Sequence, residues 1–224
     1  MHDHTIALDR DRLWRGVILA TIGHALWIAA NPQFSYELSW DGINYNRQDS
    51  QGTRGTITFA SRGVVGVFRD DHSRRIPWQQ RTPYTLNSFF AGIPPNLMEL
   101  AHEETLHYML DTHNGQVSPV ITAAFWSDEQ QITAAEPWPS VLEHGGHMIT
   151  IELMTTEAGI AAWQAQYRWN DAETRLFASL FTRCMRMEEP VAVTSEEWRF
   201  ITSDGTQGVE DTHLLLEGLG FILP

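Results

Sequence analysis

Apolar residues recur at three-to-four spacing near the start of the chain: Leu13, Trp14, Val17, Ile18, Ala25, Leu26 and Trp27. That period predicts a helix over 9–30, with Asp9 or Asp11 available to cap its free amides. Asn31-Pro32 stops it, because proline pushes the residue before it out of the helical region. The apolar band is wide, so this helix is expected to be largely covered. Arg10, Arg12 and Arg15 ahead of the run 16–30 imitate a signal peptide. Asp3, Asp9 and Asp11 dilute that basic region, His24 interrupts the apolar one, and the run is too short to span a bilayer.

The period then switches to two. Phe34, Tyr36, Leu38 and Trp40 alternate with Ser35, Glu37 and Ser39, the pattern of a half-buried strand over 34–40. Asp41-Gly42 suits a tight hairpin, since glycine accepts positive φ. Return strands follow at 43–48, 56–60 and 64–70, separated by the turn clusters 49–55 and 61–63. Together they read as a four-stranded antiparallel meander over 34–70, with helix 9–30 as the cover for its aromatic face.

Beyond Asp70 the pattern turns mainly helical. Residues 71–93 form a connection too long for an ordinary loop. Pro94 and Pro95 suit the start of a helix to about 112, and Ser118-Pro119 opens a short helix, PVITAAFW. A helical turn over 139–144 ends at Gly145-Gly146. MITIEL (148–153) reads as a strand from its β-branched content. Helices follow over 156–169, from Asn170 to about Met187, from Thr194, and over 209–217. The fold class is therefore α+β: an N-terminal helix on a four-stranded meander, then a mainly helical C-terminal half with one additional strand. The chain is expected to divide into 1–93 and 94–224, packed as one compact unit.

Charge changes this picture. The chain has 224 residues and a formal net charge of −13. It has no lysine, so a Schiff base and a lysine-bearing phosphate loop are excluded by residue type. Residues 1–81 carry ten arginines and eight acids, whereas 82–167 carry ten acids and no arginine. A field of this sign disfavours nucleic acid and anionic membranes and suits a basic protein partner. A single cysteine, Cys184, allows no intrachain disulfide and fits a reducing, cytoplasmic compartment as a buried structural thiol.

Three clusters could carry chemistry. His102 and His107 are five apart, about 140° around a helix, and cannot chelate one ion together; Glu104 and His107 are three apart and could. His144 and His147 flank a flexible glycine turn and could add ligands for a metal. The metal candidates are thus His144, His147, Glu104 and His107. The third cluster, Arg69 to Arg75, leaves the last strand of the meander, a place where site residues gather. The expected binding surface is Asp70, Asp71, His72, Arg74 and Arg75 with Asn44, Asn46 and Arg47 beside them. Ser73 beside His72 is no sign of a nucleophile, because neighbouring side chains diverge. No cofactor pattern is present: there is no Gly-x-Ser-x-Gly, Cys-x-x-Cys or dinucleotide glycine pattern. The reading is a non-enzymatic protein-binding protein of interaction or immunity type, with homo-oligomer formation open. The alternative is a small hydrolase or metal-dependent enzyme using a His/carboxylate cluster.

Overall fold

Pro32 has no amide hydrogen and a φ already near the helical value. The chain leaving the first helix therefore coils once more before it extends. The structure, a computed structural model, describes residues 4–6, 8–79, 84–113, 115–128, 131–186, 191–203 and 208–224. It opens with strand β1 (Thr5–Ile6) and helix α1 (Arg10–Ile28). The Asn31 side chain donates to the Trp27 carbonyl, and a 3₁₀ helix then runs over Pro32–Glu37. The strand expected over 34–40 begins only at Leu38, because Phe34 is drawn into a stack on Trp27 at 4.8 Å.

From there the hairpins follow their turn residues. Strands β2 (Leu38–Asp41), β3 (Asn44–Gln48), β4 (Thr53–Ala60) and β5 (Gly63–Asp70) lie side by side. Gly42, at φ 56°, supplies the left-handed residue that the first turn needs. The sheet does not end there. Helix α2 (Pro95–Glu103) gives way to a 3₁₀ segment at Thr105–Met109, then to the hairpin β6 (Leu110–His113) and β7 (Gln116–Pro119). Strands β8 (Ala123–Ser127) and β9 (Ile132–Thr133) return to the main sheet, whose order is β1-β9-β8-β5-β4-β3-β2. All its registered pairs are antiparallel.

This corrects the expected fold class. The sheet has seven strands and takes them from across the first 133 residues, whereas the expected meander had four. PVITAAFW is not a helix: it carries the end of β7 and most of β8. All five residues of β8 are buried, so no alternation could show, and its two alanines imitated a helix. Gly66 opposite Phe125 fixes the register, since a Cβ there would stand 2.2 Å from the ring. The strand expected at MITIEL is also absent. After helix α3 (Trp138–Glu143), local bonds from Met148 to Gly145 and from Thr150 to His147 hold Gly146–Ile149 as a 3₁₀ turn. With its amides satisfied locally, this segment forms no ladder.

One face of the sheet, with Val65, Val67 and Trp126, packs on Leu97, Leu100, Leu106 and Met109 from α2 and its 3₁₀ extension. The opposite face, with Phe68 and Phe125, meets Trp138 of α3 and the turn at Gly145. The remaining helices are α4 (Thr156–Tyr167), α5 (Asp171–Arg186), α6 (Ser195–Ile201) and α7 (Val209–Gly218), with a parallel pair β10 (Val191–Ala192) and β11 (Phe221–Ile222). Thr194 and Glu197 form a complete capping box ahead of α6.

The chain forms two compact units. A sheet unit takes 1–11 and 40–150, and a helical unit takes 12–39 and 151–224. Nearly all of α1 belongs to the same unit as α4–α7. No helix among the described residues is long and apolar enough to cross a membrane.

Within the helical unit α1 runs against the backbone of Glu152, where a Cβ on Gly16 would stand 1.8 Å from the carbonyl oxygen. Gly16→Ala is expected to cost about 3 kcal/mol or more, because the obstruction is backbone and cannot swing aside. Gly218→Ala, with nothing within 4 Å of its Cβ position, is expected to leave stability unchanged or slightly raised. Urea unfolding of the two variants checks the contrast.

Candidate functional site

The loop leaving β5 follows a strand end, where side chains are placed by the sheet without being buried in its ladders. Here almost every polar group is taken up internally. Arg69, 6 % exposed, donates through Nε to Asp71 at 2.6 Å and through Nη1 to Asp111 of β6 at 2.5 Å. Its guanidinium lies 5.4 Å from the ring centre of Trp78. Asp70 is buried, accepts the His72 amide, and its own amide donates to the Thr122 hydroxyl. The exposed His72 bonds the Gln51 carbonyl through Nε2 at 2.9 Å. Arg75 grips Glu136 with both arms of its guanidinium and also donates to Ser140 Oγ and the Thr122 carbonyl. Arg74, the most exposed of the loop's arginines, faces Glu143 at 3.8 Å.

Asn44 and Asn46 share a face of β3 and are tied to β4, but in register they stand level with Val65 and Val67 of β5 and not with its exit at Asp70. The Thr58 hydroxyl donates to Asn44 Oδ1 at 2.6 Å, and the Thr56 hydroxyl to Asn46 Oδ1 at 2.7 Å. Arg47, the next residue along, is in register opposite Gly55 and so belongs to the other face. Asn44 also donates to Glu104 Oε2 at 3.1 Å, and the Tyr108 hydroxyl donates to Asp41 at 2.6 Å. Desolvation, then the Asp41 carboxylate, push the Tyr108 hydroxyl up to about 12. Arg54, paired in register with Arg69, is held below its ordinary value by burial and then by the Arg69 charge.

The metal candidates do not assemble. Glu104 is spent on Asn44, His107 and His147 are exposed, and His147 Nδ1 bonds the Leu142 carbonyl. Among the described residues no group of three or more His, Cys, Asp or Glu is placed to hold a metal ion.

One contact that local sequence reading missed is the closest to chemistry. Ser73 Oγ and His144 Nδ1 are 2.8 Å apart, both buried and 71 positions apart in the chain. His144 follows α3 as its C-cap, and its carbonyl accepts the Thr122 hydroxyl, so the ring is fixed from both sides. A serine nucleophile needs this pairing together with access and an oriented second ring nitrogen. Neither is present: Ser73 is 4 % exposed, and the buried Nε2 has no hydrogen-bond partner, with Glu143 Oε1 3.9 Å away. Cys184 offers no better nucleophile, since burial pushes its thiol up and away from the thiolate.

The cavities point elsewhere. A pocket of about 250 Å³ beside Arg75, Phe89 and Glu136 borders the exit loop. A larger one, about 450 Å³, lies wholly within the helical unit, walled by Trp27, Tyr167, Trp169 and Phe200 with Glu173 and Asn31. Its wall is stiffened by a continuous ring stack: Trp27 lies between Phe34 and Tyr167, and Tyr167 continues to Trp163 at 5.2 Å. Neither Ser73 nor His144 lines these pockets. Comparison with protein-family models, curated proteins and solved structures finds no match.

Burial, and after it the positive charge of Arg75, hold His144 below the ordinary histidine value. The unfolded chain then binds a proton that the folded chain refuses, so this contribution is fully present above about pH 6.5 and is lost as pH falls through the lower folded value. Denaturant unfolding at pH 7.5 and pH 5 is expected to show a loss in the wild type that His144→Asn reduces. An equal loss in both proteins would place the titration on other groups. A double-mutant cycle on Arg75→Met and Glu136→Gln is expected to return a coupling of about 1–2 kcal/mol, modest because both side chains keep some contact with water.

Proposed function

We propose that this protein acts by binding rather than by catalysis, and that its ligand site is the aromatic pocket of the helical unit. The observation that carries the reading is the pocket itself. At about 450 Å³ it falls within the range that encloses a small molecule, and four rings stand in its lining with the polar side chains of Asn31, Asn170, Glu173 and Ser203, all near helix ends. The polar loop at 69–75, by contrast, has its charges neutralised in pairs and its serine and histidine closed from solvent.

A basic protein partner is the second reading. It is favoured by the net charge of −13 and by Leu110 and Val117, both exposed on the hairpin β6–β7 beside Asp111. Excess acid alone gives no address, however. The sheet unit holds eight arginines against fifteen acids and the helical unit seven against thirteen, so neither unit is singled out.

Ligand-observed NMR with a panel of small aromatic, ammonium and carbohydrate fragments tests the proposal. Hits are expected that weaken about tenfold with Phe200→Ala and are unchanged with Ser73→Ala. An esterase activity lost in Ser73→Ala, or hits indifferent to Phe200, would overturn it.

A further inference from the structure

The walls of the aromatic pocket carry one sign of charge. Glu173 is the one carboxylate among the described residues that line it, and no arginine or histidine does. Its second carboxylate oxygen accepts the Asn170 amide as part of the α5 cap, which holds the side chain in place. The helix ends add to that sign. α1, α4 and α6 all present their C-terminal turns: Trp27 and Asn31 lie at the end of α1, Tyr167 closes α4, and Phe200 lies in the last turn of α6. A helix C-terminus carries a partial negative charge from its unshared carbonyls. The one N-terminus at the pocket, that of α5, has its positive end offset by Asp171 and Glu173 in its first turn.

The rings complete the pattern. Trp27 and Tyr167 are stacked on both sides and act as rigid wall. Trp169 meets Tyr167 and Phe177 at tilted angles, and Phe200 is 43 % exposed with no ring partner among the described residues. An aromatic face is the negative part of its ring, so a cation seated against it gains energy, the more so when partly desolvated. A carboxylate, three helix C-termini and aromatic faces, with no arginine or histidine in the lining, would repel an anion; a neutral guest would bond only to polar side chains such as Asn31, Asn170 and Ser203, whereas a cation gains from the carboxylate, the helix ends and the rings together.

Resting on the binding reading above, we infer that the ligand of this pocket is a small organic ammonium ion, its charged head against Glu173 and its alkyl groups against Trp169 and Phe200.

Choline and its neutral carbon isostere, in which a tert-butyl group replaces trimethylammonium, are nearly identical in shape and differ in charge. Titrated into the intact protein by calorimetry, choline is expected to bind at least about tenfold more tightly than the isostere. Glu173→Gln, which keeps an oxygen for the Asn170 amide, is expected to weaken choline and leave the isostere unchanged. Phe200→Ala, at an exposed position, is expected to weaken both. Equal affinity for the two probes would overturn the ammonium assignment and leave the pocket as a binding site. Choline binding indifferent to both substitutions would overturn it as well, by placing the ion elsewhere. Absence of choline binding overturns it too, and the fragment panel then decides separately whether the pocket binds anything.

Discussion

The two-armed grip of Arg75 on Glu136 sits at the centre of a set of ties on which the sheet unit depends. The loop that carries Arg75 leaves the central strand β5 and reaches three separate parts of the chain in seven residues. Arg69 holds Asp111 in β6, Asp70 meets Thr122 ahead of β8, and Ser73 meets His144 at the end of α3. Arg75 adds Glu136 and Ser140. These partners are buried or half-buried, so each of these ties would be costly to break. Hydrophobic burial brings the layers together. The polar ties decide which loop lies where, which burial alone cannot do because it has no direction.

The same ties account for the uneven charge along the chain. Arginines are gathered before residue 82 and acids after it, and the fold brings members of the two groups together within the sheet unit: Arg62 with Glu103, Arg69 with Asp111, Arg74 with Glu143 and Arg75 with Glu136. Segregation in sequence becomes neutralisation in space. Four of the ten acids in 82–167 are thereby complements of the protein's own arginines.

The sequence was most legible where chemistry acts over a few residues. Asp41-Gly42 marked its hairpin, Asn31-Pro32 ended α1, and Thr194 with Glu197 capped α6, because each depends on neighbours in the chain. It was least legible where an element is covered on both sides or assembled from afar. Strand β8 is buried on both faces, so its pattern lost the period of two and resembled a helix. The β-branched residues of 148–153 suggested extension, but local turn bonds satisfied the amides first. Asn44, Asp70 and Arg75 were singled out for a binding surface, and nothing in their spacing told that their partners would be Glu104, Thr122 and Glu136. The aromatic pocket was missed for the same reason. Trp27, Trp169 and Phe200 are far apart in sequence, and the one available hint was that each lies beside a helix terminus.

The division of the chain into two interleaved units bears on how it is made. Ribosomal synthesis releases α1 early, yet its partners within the helical unit come late. Gly16 lies against Glu152, Gly23 against Phe177, and the Ala25 carbonyl accepts the Thr212 hydroxyl. A helix with buried Leu13, Val17, Ile22 and Ile28 must therefore wait, while the whole sheet unit is translated, for the segments that cover it. Contacts of such long sequence separation slow folding and leave apolar surface open to aggregation in the interval. The nascent chain is thus a natural client for a holding chaperone. A shortened chain ending near residue 150 would lack those partners altogether.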